Sequence, residues 1–168
     1  MKTVITSAIL AALLIFTGCS SGSKKEVKES EMVLGDIKLS SLAGEPIDMN
    51  EFKNRTVFIN FWATWCKPCI QEMPTIASVQ EKLKDKEVIF LLASNEENGR
   101  IEKFMQGHAY NFRYVQLKNM EELRIQALPT TFIFNPDGKL KFSETGFRIW
   151  DEPANIELIT AIMNKYEK

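Results

Sequence analysis

Two cysteines three positions apart, Cys66 and Cys69, are the residues of this chain whose type and spacing could do chemistry. They follow an apolar segment, 56–62, and stand where a helical pattern begins at Lys67. Such a pair can bind a metal ion, form a permanent crosslink, or form a disulfide that is made and broken during a reaction. Other features of the chain must distinguish among these three uses.

The position of the pair at a predicted helix start favours the redox use. Backbone N–H groups in the first turn of a helix have no partner within the helix, and together with the helix dipole they stabilise a negative charge. We therefore expect the pKa of the Cys66 thiol to lie below that of free cysteine, while Cys69, one turn further in, stays protonated longer. On this interpretation Cys66 attacks a disulfide and Cys69 resolves the mixed disulfide.

The numbers of cysteines and histidines disfavour the other two uses. The chain has three cysteines and one histidine. A structural zinc site needs about four ligands, which Cys66, Cys69 and His108 do not supply. A disulfide-stapled scaffold has many more cysteines, and a domain of this length can bury an adequate core without a crosslink. We therefore expect no metal and no cofactor, and an inert disulfide in an interaction module stays open as an alternative.

The N-terminal residues predict an export signal rather than part of the fold. Met1 and Lys2 form a short basic start, and the apolar run 4–16 suits a signal peptide better than a bilayer span. The run ends at Cys19 in a pattern that resembles a bacterial lipoprotein signal, in which the cysteine is lipidated and becomes the first residue. The alternative is an ordinary cleaved signal with an unmodified Cys19. Either way the protein is expected to be exported.

The segment after the signal predicts a flexible tether. Residues 19–31 are polar, with Val27 as the one aliphatic side chain, and cannot bury enough apolar surface to become ordered. The predicted organisation is therefore a signal peptide at 1–18, a lipidated tether at 19–31 and a folded domain at 32–168. The domain would be held at a bacterial membrane in the cell envelope, on the oxidising, periplasmic side.

Charge indicates no particular partner. The chain has 21 basic and 22 acidic residues, a net charge of −1, and no long basic run. Nucleic-acid binding is therefore not expected.

Hydrophobic periodicity predicts an α/β domain with a mixed sheet and helices on both faces. The helix from Lys67 contains Pro74, which should kink it. A Pro136-Asp137-Gly138 turn predicts a hairpin. The predicted elements are a β-hairpin at 35–48, strands at 56–62, 87–93, 112–117, 131–135 and 139–143, helices at 67–84, 96–107 and 151–166, and short helical pieces at 49–54 and 120–125.

Two motifs together resemble a known fold. FWATWCKPC at 61–69 and LPTTF at 128–132 are similar to the active-site motifs of the thioredoxin fold. Within it, residues 35–165, with their extra N-terminal β-hairpin, resemble the TlpA/ResA-like membrane-tethered thiol-disulfide oxidoreductases of bacteria. The resemblance implies a redox-active Cys66–Cys69 disulfide, exported protein substrates such as the haem-binding cysteines of apocytochrome c, and a membrane thiol-disulfide transporter as electron donor.

The resemblance also implies a substrate-binding surface. In the family, the proline matching Pro129 is cis and faces the cysteines, and the backbone of the preceding residue, here Leu128, can pair with a substrate segment as an added strand. Trp65 is expected to line that surface, whereas Trp62 is expected to pack in the core. The candidate substrate-binding residues are Trp65, Lys67, Pro68, Leu128, Pro129 and Thr130.

Glu72 is the third candidate catalytic residue, and it matches a glutamate that this subfamily places near the cysteines. It lies three residues after Cys69 and therefore on the same helical face. If half-buried, it would have a raised pKa and could exchange protons with Cys69. Asn60, which cannot titrate, stands where thioredoxin has a buried aspartate. A solvated surface glutamate is the alternative interpretation.

The residues between the cysteines favour a reductase. No histidine follows Cys66, unlike in strongly oxidising disulfide donors of the periplasm, and Pro68 resembles the reducing members. A disulfide oxidase or isomerase is the alternative.

Two other functions known in this fold fit the sequence less well. Copper-delivery chaperones use a CxxxC spacing and a distant histidine, whereas His108 lies at the end of a predicted polar helix. A peroxidase of this fold would need Pro and Thr ahead of Cys66, at the positions of Ile59 and Ala63.

Overall fold

A six-stranded mixed sheet forms the centre of the molecule in a computed structural model that describes residues 31–164. The predicted signal peptide at 1–18, Cys19 and all but the last residue of the predicted tether lie outside the described residues. The strands are β1 (Leu39–Ser40), β2 (Thr56–Phe61), β3 (Val88–Ser94), β4 (Arg113–Leu117), β5 (Thr130–Phe134) and β6 (Leu140–Thr145). The helices are α1 (Lys67–Lys82), α2 (Asn98–Gln106) and α3 (Pro153–Asn164).

The strand order is β1-β4-β3-β2-β5-β6, with β2 between β3 and β5. The pairs β2–β3 and β3–β4 are parallel, because a helix connects each strand to the next. The pairs β2–β5, β5–β6 and β1–β4 are antiparallel. The predicted turn joins β5 to β6: Gly138 has a φ of +73°, which favours glycine, and Asn135 Oδ1 accepts the N–H of Lys139 at 2.9 Å.

Side chains of β2 alternate between two hydrophobic clusters, one on each face of the sheet. Phe58 belongs to the first cluster, as does Trp62 just after the strand, while Val57, Ile59 and Phe61 belong to the second. Every residue of β2 is buried. The strand is therefore a rigid base for the segment that follows it, which carries the cysteines.

Different parts of the chain cover the two faces. All three α-helices contribute buried side chains to the first cluster. The second cluster is covered by side chains from 32–52 and from the turn after β4, and the helical parts of that cover are two 3-10 turns, Leu34–Asp36 and Met49–Phe52. The sheet is mixed, as predicted, but the α-helical cover expected on the second face is replaced by these two short turns and irregular segments.

Two predicted elements differ in the structure. The piece predicted as a short helix at 120–125 is a series of turns, and that prediction was wrong. Arg124 has a φ of 56°, outside the right-handed helical region, where the chain leaves the helical path. The predicted N-terminal hairpin is small: β1 has two residues, and one bridge joins Ser40 to Pro46.

The helices agree closely with prediction. α1 continues through Pro74 as far as Lys82, and the predicted kink stays a prediction. α3 begins at Pro153, which lies in its first turn as expected. Among residues 31–164, no helix combines the length and the apolar character needed to cross a bilayer.

Candidate active site

Cys66 is the N-cap residue of α1, which begins at Lys67. Its Sγ accepts the backbone N–H of Cys69 at 3.3 Å. The sulfur therefore lies where unpaired N–H groups and the helix dipole favour a negative charge. Pro68, in the first turn, lacks an N–H that the helix would leave unpaired anyway.

Cys66 and Cys69 are joined by a disulfide, with their Cα atoms 5.3 Å apart. Cys66 exposes 4% of its surface and Cys69 exposes none. Cys66 is thus the cysteine that a second molecule reaches first. Cys66 is nevertheless nearly buried while the disulfide is closed.

Glu96 is hydrogen-bonded to the segment between β2 and Cys66. Its carboxylate accepts the backbone N–H of Thr64 at 2.6 Å and the Thr64 hydroxyl at 2.9 Å. The hydroxyl of Ser94 donates to the same carboxylate at 3.4 Å, and Arg100 lies 3.7 Å away. Since Thr64 is two residues before Cys66, Glu96 holds the approach to the cysteines in place.

The predicted substrate-facing residues beside the cysteines are on the surface. Trp65 is 70% exposed, and Lys67 and Pro68 are also exposed. Trp62 is buried against the Phe104 and Tyr114 rings, in the core as predicted.

The Leu128-Pro129 segment lies at the same end of the sheet. Thr130 at the start of β5 pairs with Phe61 at the end of β2, which brings Pro129 beside the segment leading to Cys66. The Leu128–Pro129 peptide bond is cis, as the resemblance implied. Thr130 is buried and its hydroxyl contacts the Ala127 carbonyl oxygen at 2.8 Å, so its side chain supports the loop rather than facing solvent.

Glu72, one turn along α1 from Cys69, is completely buried. One carboxylate oxygen accepts the Asn60 amide at 2.6 Å, and the other accepts the backbone N–H of Arg148 at 3.1 Å. Burial raises the pKa of Glu72 from 4.5 to about 7, against the lowering effect of these two donors. The solvated-surface interpretation of Glu72 is therefore wrong, and the side chain is buried more deeply than the half-burial considered from sequence.

The site thus combines a disulfide whose Cys66 caps α1 with a buried glutamate, one helical turn beyond Cys69, whose pKa is about 7. Residues 33–143 match the family model described as the AhpC/TSA family. The chain belongs to this family.

Two relatives of this chain are named thiol-disulfide oxidoreductases. This AhpC/TSA member is 34% identical over 121 residues to the thiol-disulfide oxidoreductase ResA of Bacillus thuringiensis subsp. konkukian, covering 67% of this chain and 70% of the relative. It is 32% identical over 151 residues to ResA of Geobacillus thermodenitrificans, covering 87% and 86%. The protein is therefore a ResA-like thiol-disulfide oxidoreductase.

The fold agrees with a solved structure. A putative thiol:disulfide interchange protein DsbE from Chlorobium tepidum superposes with a TM-score of 0.69 at 24% identity, over 79% of this chain and 96% of that one. The thioredoxin-like fold predicted from sequence is confirmed.

Several residues at the site of this ResA-like protein were not found from sequence. Arg148, Glu144 and Glu96 belong to no motif, and Arg148 and Glu96 contact Glu72 and Thr64, which lie 76 and 32 positions away along the chain. Glu96 lies two residues after the buried end of β3 at Ser94, a weak signal because many loops have a charged residue there.

No group of three or more histidine, cysteine, aspartate or glutamate side chains within 31–164 could hold a metal ion. His108 stacks on Phe104 with ring centres 3.9 Å apart, and its Nδ1 lies 2.9 Å from the Phe104 carbonyl oxygen. These contacts give the histidine a packing role.

Proposed function

We propose that this ResA-like oxidoreductase reduces disulfides of exported proteins while tethered to a bacterial membrane. The observation that carries the proposal is that α1 holds both groups: Cys66 is its N-cap, and the buried Glu72, whose pKa is about 7, lies on its second turn. A thiolate and a proton acceptor are the two groups that a dithiol needs in order to exchange disulfides at neutral pH.

In the first step the Cys66 thiolate attacks one sulfur of a substrate disulfide. The substrate S–S bond breaks and a mixed disulfide forms between Cys66 and that sulfur. The electron pair leaves on the second substrate sulfur, which takes up a proton from water. The Cys69 N–H, which contacts the Cys66 sulfur, stabilises the attacking anion in the reduced protein.

In the second step Cys69 gives its proton to the Glu72 carboxylate and attacks the Cys66 sulfur. The Cys66–Cys69 disulfide forms and the remaining substrate sulfur leaves as a thiolate, which is then protonated. Because its pKa is about 7, Glu72 is populated in both protonation states at neutral pH and can both accept and return the proton.

The substrate would bind across the surface around Trp65 and Leu128. The backbone N–H and C=O of Leu128 make no backbone hydrogen bond within residues 31–164, so an extended substrate segment can pair there. The exposed side chains of Trp65, Lys67 and Pro68, which flank the cysteines, would form the rest of this surface.

The direction and the tether are supported by sequence features. The absence of a histidine after Cys66 and the presence of Pro68 favour reduction over the alternative, an oxidase or isomerase. Lipidation at Cys19 would hold the domain at the membrane. An exported reductant has no cytosolic glutathione to draw on, so we infer a membrane thiol-disulfide transporter as the electron donor.

The test is to express Cys69→Ser in the host and identify the proteins captured as mixed disulfides, with Cys66→Ser/Cys69→Ser as the matched control. The expected result is capture of exported proteins through Cys66, and a wild-type protein that is mainly reduced in the cell. Capture equal to the control, or a wild-type protein that is mainly oxidised, would contradict the reductase assignment. Proteins with haem-binding cysteines among the captured set would identify the substrate class that the resemblance suggests.

The tether has a separate test. Labelled fatty acid should be incorporated into the wild-type protein but not into Cys19→Ser, and only the wild type should sediment with membranes. Equal labelling of both proteins would rule out Cys19 as the anchor.

A further inference from the structure

The Glu72 carboxylate accepts a hydrogen bond from a loop that contains no recognisable sequence motif. This loop, Gly146–Trp150, joins β6 to the turn before α3, and Arg148 lies at its centre. The backbone N–H of Arg148 donates to Glu72, as does the Asn60 amide, and the Trp150 side chain of the same loop also lowers the pKa of Glu72.

The side chain of Arg148 is fixed from three sides. Its guanidinium binds both carboxylate oxygens of Glu144, with the Nε contact at 3.1 Å, and it donates to Asn155 Oδ1. It also lies over the Phe142 and Trp150 rings, at 5.2 and 5.5 Å from their centres. A bidentate and stacked arginine holds its backbone more firmly than a flexible lysine would.

The loop is tied to the site at other points as well. Gly146 N–H donates to the Pro129 carbonyl oxygen at 2.8 Å, and Asn155 Nδ2 donates to the Ile149 carbonyl oxygen at 2.7 Å. The backbone N–H of Trp150 donates to Thr75 Oγ1 at 3.0 Å. The loop therefore connects the Pro129 segment with Thr75 in the middle of α1.

We propose that Arg148 is a positioning residue for Glu72, because its clamped side chain fixes the loop whose backbone N–H donates to the carboxylate. The inference rests on the proposed role of Glu72 in the reaction, but it concerns how that carboxyl group is held. The charged or titratable groups around Glu72 are Glu144 on β6, Arg148 in the loop and, after reduction, Cys66 and Cys69 on α1.

Loss of the Arg148 side chain should raise the midpoint of the Glu72 titration. A loosened loop loses the N–H that favours the carboxylate, and an unpaired Glu144 adds repulsion to the same anion. The expected change is upward by about one pH unit, since a hydrogen bond to a charged group is worth about that much.

The experiment is a carbon-13 NMR titration of the Glu72 carboxyl in the oxidised protein, in which neither cysteine titrates. Glu72→Gln assigns the resonance. Arg148→Met should raise the midpoint by about one pH unit and Arg148→Lys by less. Arg113→Met is the matched control. Arg113, the first residue of β4, also pairs with a glutamate, Glu51, and lies over an aromatic ring, that of Phe52. Its midpoint should equal that of wild type.

A double variant separates positioning from charge. In Arg148→Met/Glu144→Gln the unpaired carboxylate is gone, so a midpoint above that of Glu144→Gln alone supports positioning by the loop. A midpoint equal to that of Glu144→Gln, or an unchanged midpoint in Arg148→Met, would overturn the proposal. If Arg148→Met does not fold, the shift of Arg148→Lys relative to wild type decides.

The two proposals fail in different ways. If Glu72→Gln leaves disulfide exchange unaffected while Arg148→Met moves the midpoint, the role of Glu72 in the reaction is wrong and the positioning by Arg148 stands. If Glu72→Gln slows exchange and Arg148→Met leaves the midpoint in place, the positioning is wrong and the role of Glu72 stands.

Discussion

Glu72 and Glu96 are two buried carboxylates near the cysteines, and the chain holds them in different ways. The Glu96 side chain is 8% exposed and accepts hydrogen bonds from Thr64 and Ser94, with the Arg100 guanidinium 3.7 Å away. Glu72 is fully buried and accepts from the Asn60 amide and one backbone N–H. No cation pairs with Glu72 among the ion pairs of the described chain.

The difference separates a group suited to chemistry from a group suited to support. Glu72 lacks a counter-charge, so burial dominates and raises its pKa to about 7, where a proton can be accepted and returned. Glu96 has a backbone N–H, two hydroxyls and a nearby cation, and its contacts fix the segment that carries Thr64. The partners of a carboxylate, as well as its burial, therefore decide what it can do.

The sharpest test of this contrast is the rate of mixed-disulfide resolution. Glu72→Gln should slow the resolution step by about 10²-fold at neutral pH, because it removes the proposed proton acceptor for Cys69. Glu96→Gln keeps an oxygen that can accept from Thr64 and should slow the step by less than about threefold. Stopped-flow measurement of the decay of a preformed mixed disulfide gives both rates, and similar slowing in the two variants would remove the contrast.

The pH dependence of stability should show the same carboxyl group. Because the pKa of Glu72 is raised from 4.5 to about 7 on folding, the folded state binds this proton more tightly than the unfolded state does. The contribution is fully present below pH 4.5 and is lost as pH rises through about 7, a change of about 3 kcal/mol. Unfolding of the oxidised protein by denaturant, at pH 4 to 9, measures it.

In that series Glu72→Gln should lack this slope. Glu81→Gln, which changes an exposed glutamate of the same helix, is the control and should keep the slope. A wild-type curve that is parallel to that of Glu72→Gln over the whole range would show that Glu72 does not titrate there.

Removal of the Glu96 carboxylate should affect stability more than proton transfer. Glu96→Ala leaves the Thr64 N–H without its acceptor, and the free energy of unfolding should fall by about 1–3 kcal/mol. Glu96→Gln should lose less, since its amide oxygen can still accept. Denaturant unfolding at pH 7 measures both, and an alanine variant as stable as wild type would contradict the support role.

The smallest change in stability is expected from disrupting an exposed ion pair. Lys84 and Glu81 are 60% and 71% exposed, so Lys84→Met should change the free energy of unfolding by less than about 1 kcal/mol. The same unfolding series measures it. A larger loss would mean that surface charges also contribute to the differences between the Glu72 and Glu96 variants.

The sequence predicted the parts of the site that depend on local order. Cys66 was placed at a helix start because a buried strand precedes it and a helical period follows it, and Glu72 was placed on the helical face of Cys69 by its spacing. Arg148 and Glu96 were not predicted, because they contact residues 76 and 32 positions away through loop geometry that leaves no periodic pattern. The turns at 120–125 were taken for a helix because burial of Leu123 and Ile125, rather than local propensity, directs that path.

The most direct test of the central claim is an ultraviolet titration of the thiolate in the reduced protein, with Cys66→Ser to identify the contribution of Cys66. The account predicts that Cys66 ionises below the value of about 8.5 for free cysteine, because its sulfur caps α1. Ionisation of Cys66 at or above that value would contradict it.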